Sequence, residues 1–259
     1  MERTLCAVHR LGSVPYKAAW DLQNELAAEI ANKVRPATLL LLEHPHTYTF
    51  GRRGDRKHLL LDEDQLAERG VEVHWVDRGG DVTYHGPGQL VGYPLLPLGT
   101  PHMTIQAGSA HLPQADYVGY VRRLEHTIIR SLAGFNLDAH QVNGVTGVWV
   151  AQKDKNSQST SLDSASFPHT GQDKHTGIAK IAAIGVKVDV RGITRHGFAI
   201  NVNPDMSYWE GIIGCGLVGY PVTSMAECLD PTPTMPVLMD HITRAFSKVF
   251  DFQIEEGTL

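Results

Sequence analysis

Cysteine is scarce in this chain: three residues in 259, at positions 6, 215 and 228. An odd set with no paired spacing excludes a disulfide framework and a cysteine-based zinc site. Long apolar runs are missing too, and spanning a bilayer takes about 20 residues, so no membrane role is expected. No HExxH, CxxC, Walker or Rossmann glycine pattern occurs. The chain has fourteen histidines, with His44 and His46 close together in "EHPHTY" and His85 and His196 in other motifs. Without a ligand pattern they predict neither a metal nor a cofactor. The N-terminus "MERTLCAVHRLG" lacks the basic and apolar regions of a secretory signal, and also the Arg- and Ser-rich bias of a transit peptide. A cytoplasmic protein is expected. Positive charge is short as well: the formal net charge is −5, which weighs against nucleic acid as a partner.

What is present reads as an ordinary globular chain, 42% hydrophobic and 20% charged. Its length suits a single domain over residues 1–259, or one with an insertion. Residues 4–10 read as a strand. Leu22, Leu26, Ile30 and Val34 recur at helical spacing, with Pro36 just past the stop. "ATLLLLEHP" reads as a short buried strand. "HTYTFGRR" reads as a second extended piece with Tyr48 and Phe50 on one side, and "VEVHWVDRGG" as a strand ending in a Gly-Gly turn. A helix is expected from Ala115 to Leu132, with Tyr117, Val121, Leu124, Ile128 and Leu132 inward and Gly134 as its C-cap. The run Ser224 to Glu227 fits a capping box, and a last amphipathic helix follows Pro236, with Leu238, Ile242, Phe246 and Val249 inward. "VTGVWV", "KIAAIGVKVDV" and "GFAINVN" are spaced as an antiparallel meander. The fold class expected is α/β (α+β). Residues 152–178 are polar and poor in large apolar side chains, so they read as a surface loop insertion.

Three stretches carry chemistry. "RGGDVTYHGPGQ", Arg78 to Gln89, holds four glycines in twelve residues. Glycine allows positive φ and close approach of backbone to a ligand, while Arg78 and His85 add a fixed charge and a titratable ring. Alone, the motif names no ligand. Lys180 heads the apolar run "KIAAIGV". There it is either a strand-end charge reaching for water or a lysine held in a partly dry cleft, able to exchange a proton. Cys215 sits between Gly214 and Gly216. A lone cysteine is ordinarily a small buried hydrophobe, yet the flanking glycines remove bulk around the sulfur, and a positive neighbour would favour the thiolate. Read by themselves, these residues leave both options open.

Taken together and in this order, "LGSVPYKAAWDLQ", "LLEHPHTYTFGRR", "RGGDVTYHGPGQLVGYP" and "KIAAIGV…HGFAINVN…GCG" resemble the octanoyltransferases of lipoate synthesis. The resemblance implies the fold shared with biotin and lipoate protein ligases, a mixed, mostly antiparallel sheet flanked by helices. It implies an acyl-thioester nucleophile at Cys215 and an activating lysine at Lys180. It implies substrate-binding segments at Arg78, Gly79, Gly80, Asp81, Val82, Thr83, Tyr84 and His85, at Ala183, Ile184 and Gly185, and at Gly197, Phe198 and Ala199. No cofactor is implied. The partners implied are octanoyl-acyl carrier protein as donor, with lipoyl domains of 2-oxoacid dehydrogenases and the glycine cleavage H protein as acceptors. Tyr84, Leu90, Ile184 and Phe198 are candidate walls for the octanoyl groove, and the basic run "GRRGDRKH" is a candidate docking patch for the carrier. Gly214 departs from the family's proline at that position. An ATP-dependent lipoate or biotin ligase shares the expected fold but has no use for a nucleophilic cysteine. A non-catalytic acyl-binding module would dispense with both Cys215 and Lys180.

Overall fold

Four consecutive leucines mark the centre of the sheet. Leu39 to Leu42 are all fully buried, because successive side chains of a strand point to opposite faces and here both faces are covered. Leu39 and Leu41 join one apolar cluster, and Leu40 and Leu42 another. Burying one such side chain contributes roughly 1.5–3 kcal/mol. The computed structural model describes residues 3–99, 116–152, 177–214 and 220–257.

The central strand is β2 (Ala37–Glu43). It pairs in parallel with β1 (Thr4–Ser13) and antiparallel with the strand Gln89–Leu95. In chain order the further strands are β3 (Thr47–Phe50), β4 (Glu72–Trp75), β5 (Val82–His85), β6 (Gln89–Leu95), β7 (Ala139–Val142), β8 (Val145–Ala151), β9 (Ile178–Val188), β10 (Thr194–Asn201) and β11 (Phe252–Glu256). Eight of them form one sheet in the order β11-β1-β2-β6-β10-β9-β8-β7. Only the β11-β1 and β1-β2 pairs in it are parallel. The remaining pairs are antiparallel, so the sheet is mixed and mostly antiparallel, as expected. The run β8-β9-β10 is the meander that the spacing predicted. A smaller sheet, β4-β3-β5, stands beside it.

Helices cover both faces of the large sheet. Helix α1 (Tyr16–Ala31) lays Ala19, Leu26 and Ile30 on Leu40, Leu42 and Val91. After α2 (Glu63–Glu68) beside the small sheet, helices α3 (Tyr117–Ala133) and α5 (Met235–Phe250) pack on the opposite face. The short helix α4 (Met225–Cys228) starts at the expected capping box, with Ser224 and Glu227 bonded reciprocally. Two sequence expectations change. Val34 is 78% exposed, because the helix ends at Asn32 and Lys33 takes a left-handed φ of 59°, which turns the chain away from the apolar stripe. Tyr117 is exposed where it was expected inward. It opens α3 directly after its N-cap Asp116, whose carboxylate accepts from the Gly119 N–H. Ala115 and most of the polar 152–178 stretch lie outside the described residues.

Candidate active site

The "RGG" turn leads into β5 and is pinned from several sides. The Gly79 N–H donates to the Val186 carbonyl of β9 at 2.9 Å. Gly80 adopts φ +89°, a conformation that favours glycine. The Arg78 guanidinium is buried and donates to the carbonyl and hydroxyl of Thr49 and to the Gly79 carbonyl. The backbone N–H groups of Arg52 and Arg53 donate to the carbonyls of Arg78 and Gly80, so the basic loop after β3 is fastened to this turn. A Cβ on Gly51 would fall 2.4 Å from the Gly80 oxygen; only glycine lets the two loops approach this closely.

Behind the turn lies a small cavity of about 50 Å³ that opens outward. Arg78, Gly79, Gly80, Asp81, Thr83 and His85 line one side. Ala183, Ile184 and Gly185 of β9 and Gly197, Phe198 and Ala199 of β10 line the other. These two triplets lie directly across the β9-β10 ladder, with Gly185 opposite Gly197 and Ala183 opposite Ala199. Val82 and Tyr84 do not line it. The pleat of β5 turns them to the opposite face, into the cluster of Tyr48, Phe50 and Ile212. Leu90 likewise belongs to the core under α3 and α5. Of the candidate groove walls, Ile184 and Phe198 face the cavity, and Tyr84 and Leu90 do not.

Three lining residues escaped the sequence reading: Tyr16 from α1, Tyr93 from β6 and His196 from β10. They form part of an aromatic and imidazole layer. Tyr16 stacks on His85 at 5.8 Å between ring centres, and His44 stands edge-on to His85. His44 Nδ1–H donates to the Val14 carbonyl, which leaves Nε2 to accept from the Tyr93 hydroxyl at 2.7 Å. Burial lowers the His44 pKa to about 4, and burial together with the His44 ring holds His85 well below the ordinary histidine value. Both rings are therefore neutral near pH 7. Gln89 uses its amide N–H groups on the Tyr84 carbonyl and on Asn201. Its oxygen is left to accept from His85 Nδ1 at 2.8 Å.

Asp77, just before the turn, gathers Lys187, Arg195 and His196. Burial opposes its ionisation, but the hydrogen bonds from His196 and Lys187 prevail and hold its carboxyl far below the usual range. His196 adopts a left-handed φ of 57° within β10, an uncommon conformation for a non-glycine residue.

The cavity adjoins a wider cleft of about 540 Å³. Gly79, Gly80, Asp81, Ile184 and Gly185 border both spaces. The cleft adds Lys180 and Arg53. Lys180 is not at a wet strand end: it is the third residue of β9 and only 7% exposed. Its ammonium stands 4.7 Å from the Trp149 ring centre. Cys215 lies outside the described residues. The chain beyond it is tied to Lys180 all the same. The Lys180 N–H donates to the Pro221 carbonyl, and the Thr223 N–H donates to the Lys180 carbonyl, both at 2.9 Å. On the near side, a Cβ on Gly214 would meet the Trp209 ring at 3.3 Å. Among the described residues no group of three or more His, Cys, Asp or Glu side chains is placed to hold a metal ion.

The lipoyl protein ligase A/B catalytic domain family matches residues 15–247. An octanoyltransferase from Chloroflexus aurantiacus is 42% identical over 248 residues, covering 96% of this chain and 95% of that protein. One from Cytophaga hutchinsonii is 35% identical over 264 residues, covering 97% and 95%. Among solved structures, a bipartite lipoate protein ligase from Thermoplasma acidophilum superposes with a TM-score of 0.67 at 15% identity, covering 99% of this chain and 88% of that one. That last likeness concerns the fold alone.

Proposed function

The chain belongs to the lipoyl protein ligase A/B catalytic domain family, as an octanoyltransferase, and from that membership we propose a two-step acyl transfer through Cys215. The donor is octanoyl-acyl carrier protein. The acceptor is a lysine on lipoyl domains, those of 2-oxoacid dehydrogenases and of the glycine cleavage H protein.

In the first step the Cys215 thiolate attacks the carrier's thioester carbonyl. The carrier thiol leaves as thiolate and takes its proton from the Lys180 ammonium, so the octanoyl group remains on Cys215 and Lys180 is left neutral for the second step. A cysteine thiol is only a few per cent ionised at pH 7, and the ammonium of Lys180 stabilises the ionised form. In the second step the acceptor amine attacks the acyl-enzyme, an amide forms, and the Cys215 thiolate leaves. The amine must lose protons to finish as an amide, and Lys180 in its neutral form takes one. Backbone N–H groups of the glycine-rich turn are candidate donors to the tetrahedral oxyanion, and one well-aimed donor contributes roughly 2.7–4 kcal/mol.

One observation carries this reading. The cavity between Arg78–His85, Ala183–Gly185 and Gly197–Ala199 shares its border with the cleft that holds Lys180, and the backbone of Lys180 is bonded to Pro221 and Thr223, a few residues past Cys215. An apolar chain lying against Ile184 and Phe198 could pass over the shared border of Gly79, Gly80, Asp81 and Gly185 into the cleft that holds Lys180. At about 0.8 kcal/mol per buried CH₂, an eight-carbon tail supplies several kcal/mol of binding. Among the described residues no helix is long and apolar enough to cross a membrane. A working free thiolate suits a reducing cytoplasm, which is the proposed compartment.

The test is intact-mass analysis after mixing with octanoyl-acyl carrier protein and no ATP. One octanoyl group is expected on Cys215 in the wild type and none in Cys215→Ser, and lipoyl domain added afterwards should discharge it. No adduct, combined with ligation that requires ATP, would identify a ligase of the same fold instead. Rescue of cellular lipoylation by Cys215→Ser would favour a non-catalytic acyl-binding role.

A further inference from the structure

Trp149 lies outside the three stretches that carry chemistry, yet it touches Lys180, the one lysine among the described residues that line the cleft. Its indole is 1% exposed, in β8. The β8-β9 ladder slips by one residue between Val148 and Trp149, and the slip sets Trp149 directly opposite Lys180. The ammonium then rests 4.7 Å from the ring centre. A second feature fits the same arrangement. Gly147 takes φ +128°, and a Cβ there would stand 3.2 Å from Lys180 Cε, so the missing side chain leaves room for the lysine stem. The Gly147 N–H is held by the fully buried carboxylate of Glu125 at 3.0 Å. Tyr220 lies 5.3 Å from the indole at a tilt of 60°. It is the first described residue after the segment that contains Cys215.

We propose that Trp149 is a positioning residue for the transfer reaction. Its indole face seats the Lys180 ammonium, and the same ring packs on Tyr220. Resting on the catalytic reading above, the proposal adds how the lysine is aimed. A lysine has four rotatable side-chain bonds and would otherwise sample many positions. The electron-rich indole face attracts a cation most strongly of the aromatic side chains. In a desolvated site the attraction is worth roughly a factor of ten to thirty in rate if the ammonium is needed in the transition state.

The experiment is a double-mutant cycle on the full chain, read as single-turnover acylation by octanoyl-acyl carrier protein. Trp149→Leu should slow acylation roughly tenfold, with the carrier concentration at half-saturation unchanged. Trp149→Phe, which keeps a ring face, should recover to within about threefold of wild type. In a Lys180→Met background, Trp149→Leu should cost less than about twofold, because the partner it seats has gone. A slow Lys180→Met variant beside a wild-type rate for Trp149→Leu would overturn the positioning role while leaving the catalytic reading intact. So would equal slowing by Trp149→Leu in both backgrounds. A wild-type rate for Lys180→Met would fail the catalytic reading, and this proposal with it. If Trp149→Leu does not fold, the cycle is run with Trp149→Phe, where a slowing that vanishes in Lys180→Met supports the role and one that persists overturns it.

Discussion

At the residue scale, His44 is held fast behind the lining residues His85 and Tyr93. Both ring nitrogens are used, on the Val14 carbonyl and the Tyr93 hydroxyl, and burial lowers its pKa from 6.5 to about 4. Between those two values the unfolded chain binds a proton that the folded chain refuses. Stability contributed by the neutral ring is therefore fully present above pH 6.5 and is lost as the pH falls towards 4. From pH 7 to pH 5 this one site should remove about 2 kcal/mol. His85, buried and shifted the same way, adds to the loss. Urea unfolding at the two pH values measures it. A His44→Gln variant should be less stable at pH 7 but lose about 2 kcal/mol less on acidification; an unchanged pH slope would mean that the ring is not held neutral.

At the element scale, the sequence told which segments form the site better than which side chains face it. Helical spacing placed Leu26, Ile30, Leu238 and Ile242 correctly, since one repeat fixes a whole face. The "RGGDVTYHGPGQ" run was legible as one unit because its glycines and polar residues are contiguous. The direction of each side chain was not. Within β5, Thr83 and His85 line the cavity while Val82 and Tyr84 support the small sheet; the Val-Thr-Tyr-His alternation separates the two faces, but both are buried, and a motif read as one unit did not use it. Tyr16, Tyr93 and His196 arrive from three distant elements, so no local pattern connects them. Register also accounts for a glycine with no obvious local purpose. Gly92 of β6 pairs with Phe198 of β10, and a Cβ there would fall 2.2 Å from the Phe198 ring. Gly92→Ala must therefore displace that ring, at a cost of about 1–3 kcal/mol for overpacking. If the ring moves into the cavity, transfer should shift towards acyl groups shorter than octanoyl. Phe198→Ala should do the reverse and admit longer ones. Competition among hexanoyl, octanoyl and decanoyl carriers reads both effects, and an unchanged preference in both variants would remove Phe198 from the acyl wall.

At the scale of the whole molecule, net charge and local charge point in opposite directions. The chain carries a net −5, which by itself would repel the proposed carrier if that carrier is acidic. The loop after β3 nevertheless exposes Arg52, Arg53, Arg56 and Lys57. Its placement follows from the fold: the N–H groups of Arg52 and Arg53 are bonded to the carbonyls of the "RGG" turn, and Arg53 borders the same cleft as Lys180. A carrier drawn to this rim would present its thioester at the mouth of the cavity. Charges of this kind act mainly on encounter and on the choice of docking face, and less on the chemical step. Reversing two of them, Arg53→Glu with Arg56→Glu, should raise the carrier concentration needed for half-maximal acylation about tenfold at low salt and leave the saturated rate within about twofold. The Debye length contracts from about 30 Å at 0.01 M to about 3 Å at 1 M salt, so the gap between variant and wild type should close as salt is added. A gap that is absent at low salt, or that persists undiminished at high salt, would show that the carrier docks elsewhere.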